Sequence, residues 1–189
     1  RASHDILMSQ YYIYEENRSK RLLLGVTAKA YPVKAADFIV EHKLPGNLFN
    51  LFNCGSYLVY RLYPERKVFI DGRTELYGGD FFKDYLKILF LNKNTINALF
   101  KKYNINTVLL TEIGIDTANL ARYFFDEPRW VLVYLDEDSL IFLKNTPENK
   151  TLIDTFKINL KEWHLPKAQL NKIGLRIIFP DTYLKRAWS

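Results

Sequence analysis

The chain has 189 residues, of which 48% are hydrophobic and 15% aromatic, and its formal net charge is +6. This composition is typical of a globular protein and argues against a disordered chain. The basic residues are dispersed in pairs such as Lys101-Lys102, so the clustered basic face that binds nucleic acid is not expected. The single cysteine, Cys54, excludes an intramolecular disulfide and a zinc site built from several cysteines.

The first segment, 1–24, combines aromatic and basic residues. The run Tyr11-Tyr12-Ile13-Tyr14 is followed by Arg18, Lys20 and Arg21. Amphipathic aromatics and cations settle at membrane interfaces, which favours a juxtamembrane segment. An edge strand over Ser9 to Tyr14 is an equal alternative. The sequence contains no apolar run near the roughly 18 residues of a membrane span, and we expect it to belong to a longer protein.

Between residues 25 and 145, apolar residues at helical spacing alternate with short apolar runs. Parallel strands need helical crossovers, so this alternation predicts an α/β domain with a mixed, mainly parallel sheet and helices on its faces. A turn over 136–139 predicts an antiparallel hairpin that closes one sheet edge. Asn94 is the expected N-cap of the fourth helix. The expected helices are 32–43, Gly55–Leu62, Asp80–Leu91, 94–103 and Asp116–Phe125, and the expected strands are Asn47–Phe52, Lys67–Ile70, Asn106–Thr111, Trp130–Leu135 and Leu140–Leu143.

After residue 145 the pattern changes to helical spacing without strands. We therefore expect a helical tail over 146–189. It is either the start of helical repeats, whose single unit cannot bury its own apolar face, or a helix packed back on the sheet. Its two apolar stripes are formed by Leu152, Ile153, Phe156 and Leu160, and by Leu170, Ile173 and Ile177.

The most informative motif is Asp71-Gly72-Arg73, which directly follows the expected strand Lys67–Ile70. Open α/β sheets bind ligands beyond the carboxyl ends of their strands. An acid and a guanidinium at such an end can orient a sugar or a phosphate through charge-assisted hydrogen bonds. Asn50, Asn53 and Tyr57, from the preceding strand end and helix, complete the candidate ligand-binding site.

The alternative is that this motif is structural, and turn chemistry favours that interpretation. Asp71 can cap the turn that follows it and pair with Arg73, because aspartate and glycine are common in turns for conformational reasons alone. Gly55, at the start of an expected helix, would leave the helix N-terminus open to an anion if the site binds a ligand.

Other catalytic and cofactor patterns are missing from the sequence. The three histidines, at 4, 42 and 164, lack metal-ligand spacing, so no metal is expected. Ser56 lacks the nucleophile-elbow pattern and Cys54 has no base near it in sequence. No glycine-rich phosphate loop is present, so no nucleotide cofactor is expected. Three acids could pair with Asp71 for glycoside chemistry, or simply solvate a helix start: Glu75, Asp80 and Asp84.

The aromatic residues divide into two expected groups. Core packing is expected for Phe81, Phe82, Tyr85 and Phe90, because aromatics dominate domain interiors. The remaining candidates for stacking on a sugar ring or facing a membrane partner are Tyr60, Tyr63 and Tyr77.

Residues 30–145 resemble the region that follows the membrane-spanning half of bacterial multi-pass proteins similar to GT-C-type glycosyltransferases. These use polyprenyl-phosphate sugars, and several continue into tetratricopeptide repeats. The resemblance implies an extracytoplasmic domain whose transmembrane partner holds the catalytic acid, and it assigns no catalytic residue here. Its motifs are Tyr31-Pro32, Ala35-Ala36-Asp37-Phe38, Gly46-Asn47-Leu48-Phe49-Asn50, Cys54-Gly55-Ser56-Tyr57-Leu58, Leu76-Tyr77 and, most specifically, the run from Tyr63 to Arg73.

Three functions therefore remain open. The first is a non-catalytic domain of a membrane glycosyltransferase-like protein, which binds the acceptor, a glycan or polyprenyl-phosphate-linked sugar, or the parent's own membrane half. The second is a small self-contained enzyme that acts on a phosphorylated or glycosylated substrate through Asp71 and Arg73. The third is a scaffold that recruits protein through the helical tail. The first places the chain on the outer face of a bacterial membrane.

Overall fold

A computed structural model describes residues 31–111, 115–136 and 139–159. The expectations for segment 1–24 and for the tail beyond residue 159 lie outside these ranges. Within them, no helix is long and apolar enough to cross a membrane. The helices are α1 Val33–Glu41, α2 Gly55–Leu62, α3 Thr74–Leu89, α4 Lys93–Lys102, α5 Ile115–Asp126 and α6 Lys150–Phe156, and the strands are β1 Asn47–Asn50, β2 Ile105–Thr111, β3 Trp130–Leu135 and β4 Ser139–Lys144.

The four strands form one sheet in the order β1-β2-β4-β3. β1 and β2 are parallel, whereas β4 is antiparallel to both β2 and β3. The predicted α/β fold and its mixed sheet are confirmed, but the sheet is not mainly parallel, because only the β1–β2 pair is parallel. The predicted hairpin exists as β3 and β4, and its second strand inserts beside β2, which leaves β3 at the edge. β2 and β4 are buried almost throughout, as expected for strands covered on both faces.

Two predicted strands are shorter in the structure. β1 ends at Asn50 and continues into a short 3-10 helix, Phe52–Cys54, instead of extending to Phe52. Lys67–Ile70 is not a regular strand, since it joins the sheet through a single parallel bridge between Val68 and Leu48. Phe69 and Ile70 in this run are buried, as its apolar character predicted. The backbone hydrogen bonds that strand pairing would give to 67–70 come instead from the side chain of Asn50 in β1.

Two helix starts also differ from the sequence pattern. α3 begins at Thr74, six residues before the predicted start at Asp80, and continues through Gly78, whose φ of 73° interrupts the helix. A positive φ is readily adopted by glycine, which is why the helical pattern seemed to begin after this pair of glycines. The N-cap of α4 is Asn92 rather than Asn94, and its Oδ1 accepts a hydrogen bond of 3.0 Å from the Thr95 backbone N–H.

Aromatic side chains from both helices and strands fill the core on one face of the sheet. Phe100 of α4 and Phe124 of α5 stack with ring centroids 5.8 Å apart, and Phe124 also contacts Phe142 of β4. Phe49 of β1 reaches the same cluster through Phe100, at 5.2 Å. The paired aromatics thus join β1, β4 and two helices into one apolar layer.

The opposite side of the sheet is covered by α1 and α6. Phe38 of α1 contacts Tyr134 of β3 at 4.9 Å and Phe156 of α6 at 5.2 Å between ring centroids. After α6, the Ile158 backbone N–H donates a 2.8 Å hydrogen bond to the carbonyl of Leu132 in β3. Residues as far as 158 therefore pack on the sheet.

Replacing Asn92 or Asn94 by alanine should show which of these two residues caps α4. We expect Asn92→Ala to lower the free energy of unfolding by about 1 kcal/mol, because it leaves a first-turn N–H without its acceptor. Asn94→Ala, two residues along the same exposed turn, should change it by less than about 0.5 kcal/mol. Urea unfolding monitored by circular dichroism measures both, and equal losses would contradict the assignment of the cap.

Candidate functional site

Asp71 lies at the point where the 67–70 segment leaves the sheet, and its side chain is 1% exposed. Its carboxylate accepts hydrogen bonds from the Arg73 backbone N–H at 2.9 Å, from Arg73 Nε at 2.9 Å and Nη2 at 2.7 Å, and from the Tyr77 hydroxyl at 2.6 Å. The Arg73 hydrogen bond and the Tyr77 hydroxyl lower the pKa of Asp71 far below its usual range, against the opposing effect of burial. Asp71 is therefore a carboxylate at any working pH.

Asp71 in turn affects the protonation of its two hydrogen-bond partners, Tyr77 and Arg73. Burial and the hydrogen bond to Asp71 raise the pKa of Tyr77 to about 12, so its hydroxyl remains a donor. The Asp71 carboxylate raises the pKa of Arg73, whose side chain is 57% exposed. The guanidinium thus neutralises the buried acid with one edge while much of its surface faces solvent.

Asn50 links the end of β1 to the segment that precedes Asp71. Its side chain is fully buried, and Nδ2 donates to the carbonyls of Ile70 at 2.7 Å and Leu51 at 2.9 Å. Its Oδ1 accepts a 2.8 Å hydrogen bond from the Phe69 backbone N–H. The amide therefore replaces the strand pairing that 67–70 lacks, and both of its polar atoms have partners within the protein.

The N-terminus of α2 packs directly against the same segment. A Cβ at Gly55 would lie 2.1 Å from the Ile70 carbonyl oxygen and 2.6 Å from the Asp71 Cα. The next residue, Ser56, accepts a 3.3 Å hydrogen bond from the Gly72 backbone N–H through its Oγ. Gly55 is therefore required by the close packing of α2 on this segment, and the binding of an anion at the helix N-terminus stays a prediction.

The structure brings Asn50, Asp71 and Arg73 together and gives the other two predicted site residues different neighbours. Asn53 is exposed, and its Oδ1 lies 3.5 Å from the Thr111 hydroxyl at the end of β2. Tyr57 is buried and packs on Tyr31, with ring centroids 5.0 Å apart. Three of the five predicted site residues, Asn50, Asp71 and Arg73, thus lie together, and we call the turn that they form with their neighbours the Asp71 corner. Asn53 and Tyr57 lie outside it.

Next to this corner is a cleft of about 450 Å³, which the sequence did not predict. Tyr77 belongs to both, because its hydroxyl binds Asp71 and its ring lines the cleft. Tyr77 was a candidate for stacking on a sugar, whereas nothing in the sequence singled out the residues that the fold brings to it from β1 and from beyond α4. The cleft is lined by Asn47, Leu48, Lys67, Val68, Phe69, Leu76, Tyr77, Phe81, Tyr103 and Ile105.

One side of this cleft is an aromatic wall. The rings of Tyr77 and Phe81 stack with centroids 5.3 Å apart and an interplanar angle of 23°. Phe81 also meets Tyr103 edge to face at 6.0 Å. At the same wall, Leu76 is 66% exposed. The cleft therefore offers an apolar surface in which the aromatic rings pack on one another and Leu76 faces solvent.

Polar groups at the cleft are few. Asn47 Nδ2 donates a 2.7 Å hydrogen bond to the Tyr103 carbonyl, which anchors that residue against β1. Lys67 is exposed and forms no ion pair with any residue in the described ranges. A second cation, Lys102 Nζ, lies 5.0 Å from the centroid of the Tyr103 ring. Among the residues that line the cleft, Lys67 is thus the charged one.

Other aromatics and acids are positioned outside this arrangement. Tyr85 is buried as expected, and its hydroxyl accepts a 3.0 Å hydrogen bond from the Phe52 backbone N–H. Phe82 and Phe90, which were expected in the core, are 37% and 83% exposed. Asp80 pairs with Lys83 rather than joining Asp71.

Nucleophile and metal chemistry find no support in the described residues. Cys54 is buried, and burial raises the pKa of its thiol to about 11, so the reactive thiolate is scarce at neutral pH. Within residues 31–111, 115–136 and 139–159, no three histidine, cysteine, aspartate or glutamate side chains are grouped so that they could hold a metal ion.

Comparisons of the chain with protein-family models, with curated proteins and with solved structures return no match. The resemblance to the glycosyltransferase-like proteins therefore rests on the sequence motifs alone.

The contact between α2 and the Asp71 corner can be tested with two glycines. Gly55→Ala should lower the free energy of unfolding by about 2 kcal/mol, because the added methyl group meets backbone atoms that cannot move freely. Gly79→Ala is the matched control, since a Cβ there has no atom within 4 Å. It lies in α3, where alanine is favoured over glycine, so stability should rise by about 0.5–1 kcal/mol. A neutral Gly55→Ala would contradict the close approach.

The Asp71 carboxylate should contribute to stability in a pH-dependent way. We expect Asp71→Asn to cost about 2–3 kcal/mol at pH 7, because hydrogen bonds to a buried charge are lost. The folded pKa of Asp71 lies below the unfolded value of about 3.9, so this contribution is complete above about pH 5. It is lost as the pH falls through 3.9 toward the folded pKa.

Urea unfolding of wild type and variant between pH 2.5 and 7 measures this dependence. The gap between the two proteins should narrow below about pH 4. Asp80→Asn removes a carboxylate that is 98% exposed, and it should leave stability unchanged. A gap that stays constant with pH would show that the carboxylate of Asp71 is not preferentially stabilised in the folded chain.

Proposed function

We propose that this chain is a non-catalytic domain of a membrane glycosyltransferase-like protein, on the extracytoplasmic face of a bacterial membrane. It binds the acceptor or a glycan, or it contacts the membrane half of its parent. The observation that supports a binding role over a catalytic one is the saturated environment of Asp71, whose carboxylate has four short hydrogen bonds.

General acid and base catalysis needs a group whose pKa lies near the working pH. Asp71 is far below that range and the Cys54 thiol is far above it, at about 11. Two nearby acids are paired with lysines of their own helix, since Asp80 binds Lys83 at 3.1 Å and Asp84 binds the next lysine at 2.7 Å. Asp80 and Asp84, two of the three acids that could pair with Asp71 for glycoside chemistry, are thus engaged in ion pairs on their own helix.

The contacts around Asp71 favour a structural role for this turn, in which it shapes the surface of the adjoining cleft. The motif with the most specific resemblance, the run from Tyr63 to Arg73, contains a segment that lies parallel to β1 at the Leu48–Val68 bridge. Lys67, Val68 and Phe69 of this segment line the aromatic cleft. Aromatic rings with few polar groups around them are typical of sites that hold a ligand by shape and stacking. Binding of a glycan fits this surface better than proton transfer does.

A second surface fits the alternative contact with the parent's membrane half. Phe82 and Leu86 in α3 and Phe90, the residue directly after the helix, are spaced four residues apart, so they lie along one side of α3. They are 37%, 36% and 83% exposed. Exposed apolar groups that share one helix face are typical of docking surfaces.

Two assays on the purified chain test the non-catalytic proposal. Nuclear magnetic resonance shifts upon addition of a panel of oligosaccharides measure binding, and release of free sugar from a polyprenyl-phosphate hexose measures turnover. We expect shifts with at least one glycan, and turnover equal to a protein-free blank. If no glycan binds, the alternative that the chain contacts the membrane half of its parent makes two predictions. The chain should co-purify with its co-expressed membrane half, and Phe90→Ser should weaken this association.

The enzyme alternative makes the opposite prediction. Turnover above the blank that disappears in Asp71→Asn, while Asp80→Asn retains it, would overturn the non-catalytic proposal. Both variants must show a wild-type circular dichroism spectrum at the assay temperature, so that loss of folding is not mistaken for loss of chemistry.

A further inference from the structure

We propose that one side of α3 lies directly against the lipid surface of the membrane, with the Phe90 ring inserted among the headgroups and Lys83 beside them. We call the apolar part of this contact, formed by Phe82, Leu86 and Phe90, the α3 stripe. This inference rests on the membrane location in the proposed function. It goes beyond that function because it names lipid, rather than the membrane half of the parent, as the occupant of the stripe.

The first argument is the exposure of the stripe. Phe90 is 83% exposed, the highest value among the large hydrophobic residues that the structure describes. Its backbone N–H donates a 2.9 Å hydrogen bond to the Leu86 carbonyl, so the helical spacing continues to the end of the stripe. Phenylalanine and leucine are the side chains with which surface-bound helices enter the boundary between headgroups and acyl chains. The stripe therefore has the chemistry of an interfacial contact.

The second argument is the position of the charged residues around α3. Successive residues of a helix are rotated by about 100°, so Lys83 and Lys87 come next to Phe90 around the helix. Their side chains are 73% and 54% exposed. Asp80 and Asp84 lie beyond the lysines, and each is paired with one of them. A surface that touches the stripe thus meets the lysines before the acids, which suits anionic headgroups.

The third argument is where the chain enters the described domain. Tyr31, the first residue of the described ranges, packs on Tyr57 in the first turn of α2, with ring centroids 5.0 Å apart. The short 3-10 helix after β1 leads directly into α2, and its Phe52 meets Phe82 edge to face at 6.1 Å. The chain therefore enters on the side of the molecule where the stripe begins.

This position connects the stripe with the aromatic and basic segment 1–24, which favours a membrane interface by its composition. Residues 25–30 separate that segment from Tyr31, and a fully extended chain of this length spans at most about 25 Å. A membrane that holds segment 1–24 is therefore close to the side of the domain that carries the stripe.

The small area of the stripe favours lipid over a protein partner. Three side chains along one side of a helix offer much less surface than the roughly 800 Å² per partner that a stable protein interface buries. A lipid contact beside an anchored segment needs less area, because the anchor supplies a high effective concentration.

The test holds the full 189-residue chain at a vesicle surface and measures whether residue 90 enters the lipid. A hexahistidine tag before Arg1 binds a nickel-chelating lipid in vesicles of phosphatidylcholine and phosphatidylglycerol. Phe90→Cys carries bimane, an apolar fluorophore, and a nitroxide lipid in the vesicles quenches it on contact. Cys54 does not compete for the label, because it is buried and burial raises the pKa of its thiol to about 11.

We expect the nitroxide lipid to reduce bimane emission at position 90 about threefold, because the fluorophore lies at the depth of the headgroups. Val40→Cys is the matched control. Residue 40 is 50% exposed on α1, which covers the opposite side of the sheet, so a label there should not be quenched. Both positions are solvent-exposed, so the variants should fold normally.

A second pair of variants tests the contribution of charge. Lys83→Gln in the labelled Phe90→Cys protein should lower the ratio of quenched to unquenched bimane about fivefold, as expected for one lysine near an anionic surface. Lys34→Gln removes an exposed lysine of α1 and should leave this ratio unchanged. On vesicles of phosphatidylcholine alone, the difference between the two variants should disappear.

Several results would overturn the inference. It is wrong if bimane at position 90 is not quenched, if positions 90 and 40 are quenched alike, or if Lys83→Gln and Lys34→Gln have the same effect on anionic vesicles. Loss of co-purification with the membrane half in Phe90→Ser, without quenching at position 90, would assign the stripe to a protein partner. In that case the lipid contact is refuted and the proposed function stands.

The opposite combination separates the two proposals in the other direction. Quenching at position 90 but not at 40, in a chain that neither binds glycans nor co-purifies with the membrane half, would support the lipid contact. The same result would refute the binding roles in the proposed function.

Discussion

The buried amide of Asn50 is the interaction on which the rest of the structure around the cleft depends. The segment 67–70 has only one bridge to β1, at Val68, and an unpaired backbone buried beside a sheet would be costly. Asn50 bonds to this segment with both its amide nitrogen and its oxygen. Removing it would leave buried backbone groups without partners, and the corner at Asp71 would lose its support.

The positions of the Asp71 corner and of the cleft depend on these hydrogen bonds of Asn50. The placement of 67–70 brings Asp71 against the N-terminus of α2, where only glycine fits at position 55. The carboxylate then draws Arg73 and Tyr77 to itself, and the Tyr77 ring becomes the first element of the aromatic wall. A single buried acid therefore has a structural role in the corner and shapes the surface on which a ligand can lie.

Local patterns predicted the elements whose signals lie within a few residues. Gly55–Leu62 was predicted with the observed bounds, and the hairpin of β3 and β4 was predicted because both strands and their turn are contiguous. Patterns that depend on distant pairing were less informative. Nothing local indicated that β4 would insert between β2 and β3, which makes most of the strand pairs antiparallel. The glycine kink at position 78 concealed the first turn of α3.

The sequence by itself determined an α/β fold, the main helices and a turn at Asp71-Gly72-Arg73 after a buried run, because hydrophobic periodicity and turn chemistry are local properties. Among the predicted site residues, Asn50, Asp71 and Arg73 come together, and their neighbourhood was foreseeable from the order of strand ends. Only the tertiary structure decided that the amide of Asn50 and the carboxylate of Asp71 have their hydrogen-bond partners within the protein, whereas Arg73 stays partly exposed. It also created the cleft, because Asn47, Lys67, Tyr77 and Tyr103 are distant in sequence and meet only when the segments that carry them pack at one edge of the sheet.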